Sequence, residues 1–301
     1  METAFNGEPT SVKVMSNEKY SKEAVVVNLN RVLPVRTLEY FLDCIKSGRL
    51  GVSWIAGFAA GTTVFVADSG GFLLAALVAV CMTMLTMAGF ISNDISDRQK
   101  DKIAQKSRPI TTGKLPAKVA ALFAICLFAF VVFVSGFLGI AAVVASILTA
   151  AALVFYSAFS KKFPLFKGVY TALLCIVPFG FAAAASEASV QPDLVSIVFF
   201  FIVFREILLD TLDASGDRAF GLKTVAHVLG EQNARTVGWL GMFGSLMAGQ
   251  VLLHNPVSIL VLYLALISLA VSACLYLSNE EKGLRSTRLA MFLGVFSIAV
   301  A

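Results

Sequence analysis

The chain has 301 residues, 58% of them hydrophobic and only 14% charged, with a formal net charge of +5. Soluble domains carry about 25% charged and 45–50% apolar residues, so this composition excludes an ordinary water-soluble domain. The cysteines (Cys44, Cys81, Cys126, Cys175, Cys274) show no CxxC spacing and read as small apolar fillers, while His227 and His254 lie too far apart in sequence for a zinc site. No nucleic-acid motif accounts for the basic excess.

In chain order, residues 1–48 are polar and mixed in charge, without the early apolar core of a cleavable signal peptide. Residues 1–36 are expected to be a mobile cytoplasmic tail, because the first stretch has little to bury. "TLEYFLDCIKSGRL" (37–50) fits either an amphipathic helix lying at the membrane interface or a plain cytosolic lead-in. "FLLAALVAVCMTMLTMAGFI" (72–91) then supplies 20 residues without a charge. That length crosses a hydrocarbon core about 30 Å thick. Similar runs predict an all-α, polytopic membrane protein with spans near 50–67, 71–92, 118–136, 138–158, 168–186, 194–212, 236–253, 257–277 and 286–301. Between the third and fourth, "VSGFLG" (134–139) supplies only a tight turn.

The charges orient these spans. The connections after the first, third, fifth and seventh contain no Lys or Arg, and all 24 basic residues fall on the other side. This positive-inside pattern predicts a cytoplasmic N-terminus, and the odd span count an external C-terminus.

Asp94, Asp97 and Asp101 end the second span at spacing i, i+3, i+7, which confines them to about 60° of one helical face. "DTLDASGD" repeats that spacing with Asp210, Asp213 and Asp217 at the end of the sixth span. The layout predicts two pseudo-equivalent halves, each with an Asp-rich motif. Like charges one turn apart repel one another, more strongly near a low-dielectric phase. Two such clusters call for a compensating cation, and hard oxygen donors suit Mg²⁺, which uses one or two carboxylates together with substrate phosphates. The clusters therefore read as two Mg²⁺ platforms facing an anionic phosphate group.

Basic residues surround the acids. "KDKIAQKSRPITTGKLP" (100–116) brings Lys102, Lys106, Arg108 and Lys114 after the first cluster, and Arg218 and Lys223 follow the second. "YSAFSKK" (156–162) lies at the cytoplasmic end of the fourth span. Metals for some oxygens and Arg or Lys for the rest is the mixture diphosphate recognition needs. Pro109 keeps Arg108 out of a regular helix, as a loop folding back over the site requires. Arg205 lies deeper, about 7–8 Å above Asp210 along the helix, and needs Glu206 or a cluster carboxylate as partner.

These segments resemble a known family. "NDISDRQKD" looks like the NDxxDxxxD motif of UbiA-type membrane prenyltransferases, "SRPITTG" is similar to their RPI-x-x-G loop, and "YSAFSK" to their YSxxxK segment. "REILLDTLDASGDRAFGLKT" resembles their second DxxDxxxD motif. Ser96 departs from the aromatic residue many members carry. The resemblance covers roughly 40–301 and implies nine transmembrane helices around a central cavity open to the cytoplasm and to lipid, with 37–301 as one prenyltransferase domain. It implies that Asn93, Asp94, Asp97 and Asp101 hold one metal and the diphosphate, and that Asp210, Asp213 and Asp217 hold another. It also implies that Arg108, Lys161 and Lys223 contact diphosphate oxygens and that Tyr156 lies near the reacting carbon.

The expected function is Mg²⁺-dependent ionisation of a prenyl diphosphate, with two or more ions, and transfer of the prenyl group to an aromatic or lipid acceptor. Asp94, Asp97, Asp210, Asp213 and Tyr156 are the catalytic candidates; Asn93, Arg108, Lys161, Lys223 and Arg205 are the diphosphate-binding candidates. Membrane lipid is the expected surrounding, and the site loops are expected to be cytoplasmic. A cyclase of the same superfamily, whose cation is captured by its own double bonds, is the alternative. An ion-coupled transporter is disfavoured, because both clusters lie at one membrane face rather than at the midplane.

Overall fold

The computed structural model describes residues 36–67, 70–186 and 188–299. The expected mobile tail lies outside these residues except for its last position. The chain divides into a short unit, Met1–Leu42, and a large one, Asp43–Ala301. The described part of the short unit, 36–42, is helical, and Leu38, Phe41 and Leu42 are exposed on it.

The large unit is helical throughout its described length. After helical residues 43–47 come α1 (Leu50–Val66), α2 (Gly71–Ser96), the short α3 (Arg98–Ile103), α4 (Ala117–Leu138) and α5 (Ile140–Lys162). A 3₁₀ turn at Pro164–Phe166 leads into α6 (Lys167–Ala185), followed by α7 (Pro192–Ala219), the short α8 (Val225–Leu229), α9 (Glu231–Leu252), α10 (Pro256–Ser278) and α11 (Glu280–Ala299). The nine apolar runs of the sequence fall on the longer helices. Five of these are long and apolar enough to cross a membrane, and a sixth qualifies if Arg36–Ser47 and Leu50–Val66 are taken as one span. The others fall short by composition: α11, for instance, opens on Glu280, Glu281 and Lys282 and carries Arg285 and Arg288. With an all-helical fold of this hydropathy, the protein is an integral membrane protein.

Neighbouring helices close a ring in the order α1, α2, α4, α5, α6, α7, α9, α10, α11, with α11 returning to α1. Two apolar cores lie within it. Val78, Leu85, Val131 and Phe181 centre one, among α1, α2, α4, α5 and α6. Leu208, Met242, Leu262 and Leu269 centre the other, among α6, α7, α9, α10 and α11, with Ala59 of α1 at its edge. The outer surface is apolar too; Leu122, Phe133, Leu148 and Leu264 are exposed, as expected where lipid is the solvent. Small residues let helices approach closely: a Cβ on Gly57 would lie 2.0 Å from the Thr83 hydroxyl oxygen of α2. The turn between α4 and α5 falls at Gly139, whose φ of 114° favours glycine.

Two helix ends position the acids. Helix α7 stops in a Schellman arrangement: Gly221 (φ 66°) donates to the Arg218 carbonyl at 3.0 Å and Leu222 to the Asp217 carbonyl at 2.9 Å. Helix α3 stops the same way. Gln105 (φ 51°) donates to the Lys102 carbonyl at 3.2 Å and Lys106 to the Asp101 carbonyl at 2.9 Å. The third aspartate of each motif occupies the same position in its stop.

Candidate active site

Asp94 lies in the last turn of α2 and Asp101 in α3, with Asp97 at the break between them. The single helical face expected for this cluster is therefore interrupted. The interruption is slight, because Asp97 still donates to the Asn93 carbonyl at 2.8 Å and Asp101 to the Asp97 carbonyl at 2.8 Å. In the second cluster, α7 runs unbroken through Ser215 and Gly216, so Asp210, Asp213 and Asp217 share one helix. At Gly216 the end of α3 comes close: an added Cβ would meet the Ala104 side chain at 3.3 Å.

The two clusters face each other. Lys106 Nζ lies 2.7 Å from Asp213 Oδ1 and 3.9 Å from Asp101 Oδ1, so a single ammonium reaches both. Lys100, between Asp97 and Asp101 in sequence, pairs with Asp217. Arg108 folds back as Pro109 predicts, and its Nη1 is 2.6 Å from both Asp94 Oδ1 and Asp101 Oδ2. Arg49 Nη2 donates to Asp94 Oδ1 at 2.8 Å. Lys161 Nζ sits 3.1 Å from Asp97 Oδ1 and donates to the Ser96 carbonyl at 2.9 Å. Lys167 Nζ, at the start of α6, is 2.7 Å from Asp210 Oδ1. Each of the six aspartates thus has a basic neighbour, and the six basic side chains involved balance their charge.

Burial grades the acids. Asp94, Asp101, Asp210 and Asp217 are buried, whereas the middle acids Asp97 and Asp213 keep 17% and 26% of their side chains exposed. Burial pushes the Asp101 carboxyl above its ordinary value, against the pull of Arg108 and Lys106. Both Asp217 oxygens are buried without a hydrogen-bond donor among the described residues; Lys100 touches one but lies out of line for a bond.

The remaining candidates divide. Asn93 accepts from Ser157 at 2.9 Å, which ties the first motif to α5. Next to Ser157, the Tyr156 hydroxyl accepts from Thr171 at 3.4 Å, and its ring lies 5.8 Å from that of Tyr170. Arg205 faces elsewhere: its Nε donates to Thr287 of α11 at 3.0 Å and its Nη1 is 4.0 Å from Glu206, away from either aspartate cluster. Lys223 stands exposed just beyond the stop of α7, with no carboxylate within 4.0 Å among the described residues. Arg49, Lys100 and Lys167 are additions that the sequence did not single out. Arg49 and Lys167 each begin a helix, where the macrodipole disfavours a cation. A basic residue at such a place signals a nearby acid.

This donor set fits Mg²⁺. Among the described residues no three His, Cys, Asp or Glu side chains converge as a ready-made metal site. Hard carboxylates in ones and twos, facing each other and including the donor-less Asp217, are what an ion needs if substrate phosphates complete its shell.

A family model described as the UbiA prenyltransferase family matches residues 52–296. A digeranylgeranylglyceryl phosphate synthase of Natronomonas pharaonis is 32% identical over 190 residues, covering 61% of this chain and 65% of that protein. The chain thus spans a little under two thirds of that relative's length. A UbiA homologue from Aeropyrum pernix shares the fold at a TM-score of 0.65 and 21% identity, over 82% of this chain and 96% of that one. So does a UbiA homologue from Archaeoglobus fulgidus bound to GPP and Mg²⁺, at 0.60 and 15%, over 86% and 100%. With most of its length matched by the family model, this chain belongs to the UbiA prenyltransferase family.

Proposed function

We propose that this protein is a Mg²⁺-dependent membrane prenyltransferase that ionises a prenyl diphosphate and passes the prenyl group to an acceptor. The observation that carries this reading is the position of Lys106, close enough to Asp213 and Asp101 that one small ligand can touch both motifs. The name of the Natronomonas relative and the GPP and Mg²⁺ in the Archaeoglobus structure support the same chemistry.

In this reading Asp94, Asp97, Asp101, Asp210, Asp213 and Asp217, with Asn93, would hold two or more Mg²⁺ ions, which supply Lewis-acid neutralisation of the leaving diphosphate. Arg108, Lys161 and Lys223 bind diphosphate oxygens, and Lys106 and Lys167 add fixed positive charge where negative charge develops. Charges already aimed at the leaving group cost no reorganisation when the bond breaks, commonly the largest catalytic contribution. Tyr156, held by Thr171 and tilted against Tyr170, places an aromatic face for the allylic cation. The apolar walls keep water from that cation. Arg205 serves as a support, bridging α7 to α11 through Thr287.

We read the fold as nine transmembrane helices around a central cavity, in two pseudo-equivalent halves, with 37–301 as the prenyltransferase domain. The matched stops after Asp101 and Asp217 and the paired cores support the halves. The one-sided distribution of Lys and Arg supports a cytoplasmic N-terminus and cytoplasmic site loops.

The test supplies purified protein with Mg²⁺ and a panel of prenyl diphosphates, with and without aromatic and prenylated glyceryl phosphate acceptors. Acceptor-dependent diphosphate release with a prenylated product is the expected result. A cyclic hydrocarbon or alcohol from the donor alone would make the protein a cyclase. Ion flux in liposomes without turnover would make it a transporter.

A further inference from the structure

Glu206 of α7 is buried one helical turn before Asp210, with 7% of its surface exposed, and nothing in the mechanism above uses it. A carboxylate enclosed at that depth in a membrane protein calls for a partner and a role. The nearest cations are committed elsewhere. Lys167 Nζ pairs with Asp210 at 2.7 Å, and Arg205 Nε donates to Thr287, which leaves Arg205 Nη1 4.0 Å from Glu206 Oε1. Cys175 of α6 and Asp213 of α7 also lie within electrostatic reach. Among the described residues, the side chain hydrogen-bonded to Glu206 is Thr171 of α6, whose Oγ1 is 3.4 Å from Oε2. Helix α6 packs directly against Glu206 here: a Cβ on Gly168 would lie 3.1 Å from the Glu206 Cβ.

Thr171 reaches two more oxygens, the Tyr156 hydroxyl at 3.4 Å and the Lys167 carbonyl at 3.1 Å. A hydroxyl has one proton to donate and lone pairs to accept, and it rotates to suit its partners. When Thr171 donates to Glu206, its lone pairs are open to Tyr156, which then donates its own proton to Thr171. Tyr156, Thr171 and Glu206 thus form a chain of three oxygens. The chain runs from the proposed place of the allylic cation to a buried carboxylate on another helix.

Prenyl transfer leaves one proton over. Capture of the cation forms a C–O or C–C bond to the acceptor, and an acceptor O–H or ring C–H bond breaks, its electron pair staying with the acceptor. We propose that this proton passes to Tyr156 while Tyr156 hands its own to Thr171 and Thr171 hands its own to Glu206, which ends the step as a neutral acid. Water entering the emptied site takes the proton back along the same chain. Glu206 and Thr171 are positioning residues in this step, since both act through Tyr156. The relay rests on the prenyltransferase reading.

The experiment uses the purified full chain with Mg²⁺, geranylgeranyl diphosphate and whichever aromatic or prenylated glyceryl phosphate acceptor the parent turns over fastest. It measures prenylated product formed per diphosphate released. Glu206→Gln keeps the shape and loses the proton-accepting charge, so ionised prenyl groups are lost to water or to elimination. The ratio should fall about tenfold or more, as expected when a general base is removed. Thr171→Val cuts the chain in the middle, should lower the ratio to a similar degree, and carries the test alone if Glu206→Gln does not fold. Thr171→Ser restores the hydroxyl and should stay within about threefold of the parent. A merely structural role would lower release and transfer together and leave the ratio unmoved. An unchanged ratio in folded Glu206→Gln or in Thr171→Val overturns the relay and assigns the proton to the departing diphosphate. So does a Thr171→Ser variant as uncoupled as Thr171→Val. A parent that transfers to no acceptor fails the prenyltransferase reading and the relay with it, whereas a coupled parent with coupled variants fails the relay alone.

Discussion

Lys106 donates to Asp213 at 2.7 Å, although 107 positions separate them in the chain. In the proposed reading the ammonium occupies the gap between the motifs that a Mg²⁺ ion shared with substrate would take, and so competes with it. Lys106→Met is expected to lower the half-saturating Mg²⁺ concentration about three- to tenfold. Mg²⁺ titrations followed by thermal stability and by diphosphate release would read the shift, and coincident curves for variant and parent would remove Lys106 from this role.

Asp94 and Asp210 are each almost fully enclosed and each grips cations across the site. Asp94→Asn and Asp210→Asn keep the shape and remove the charge. Each should slow diphosphate release by about 10²-fold or more, as loss of a preorganised electrostatic contact does elsewhere. Unaltered turnover in either variant defeats the proposed role of the motifs.

Two lysines that touch neighbouring acids should behave differently on removal. Lys167 and its partner Asp210 are both buried, with 14% and 4% of their side chains exposed, so Lys167→Leu strands a charge and should destabilise the fold by about 3–5 kcal/mol. Lys161 is 46% exposed and its partner Asp97 is at the rim, so Lys161→Leu should cost less than about 1 kcal/mol. Denaturation midpoints in matched detergent would separate the two, and equal midpoints would contradict this difference in burial.

The stops of α3 and α7 make opposite demands on their left-handed residues. Gln105→Gly relieves a side chain held at φ 51° and should stabilise the protein by about 1 kcal/mol. Gly221→Ala imposes the same strain at φ 66° and should destabilise it by a similar amount. Thermal midpoints moving the same way in both variants would count against the matched stops.

Orientation is open to labelling. In a cysteine-free background, Ser107→Cys should react with an impermeant maleimide only from the cytoplasmic side. His254→Cys, exposed on the turn between α9 and α10, should react only from outside. The reverse pattern would invert the topology proposed from the basic residues.

Much of the architecture was legible because hydropathy and glycine are local signals. The run at 71–92 foretold α2, and the turn expected at 134–139 falls at Gly139. Helix ends were less legible. Helix α7 continues seven residues past the expected 212 to Ala219, since its last turns are polar and leave the apolar pattern while keeping their backbone bonds. The facing of the two acid clusters followed from matched spacing at matched span ends. Which cation meets which acid did not, because Lys and Arg crowd the same connections and hide the few with specific partners. Arg49 and Lys167 could be found only by asking why a helix begins with the wrong charge.

The twin stops after Asp101 and Asp217 make each motif a self-contained cassette. Backbone bonds internal to a few residues set the angular register of the third acid, independent of whatever segment comes next. Gln105 and Lys106 after the first, and Gly221 and Leu222 after the second, belong to these bonds, so only the chain beyond them can change course without undoing the stop. Arg108 can therefore swing back onto Asp94 and Asp101 without unwinding the turn that aims Asp101.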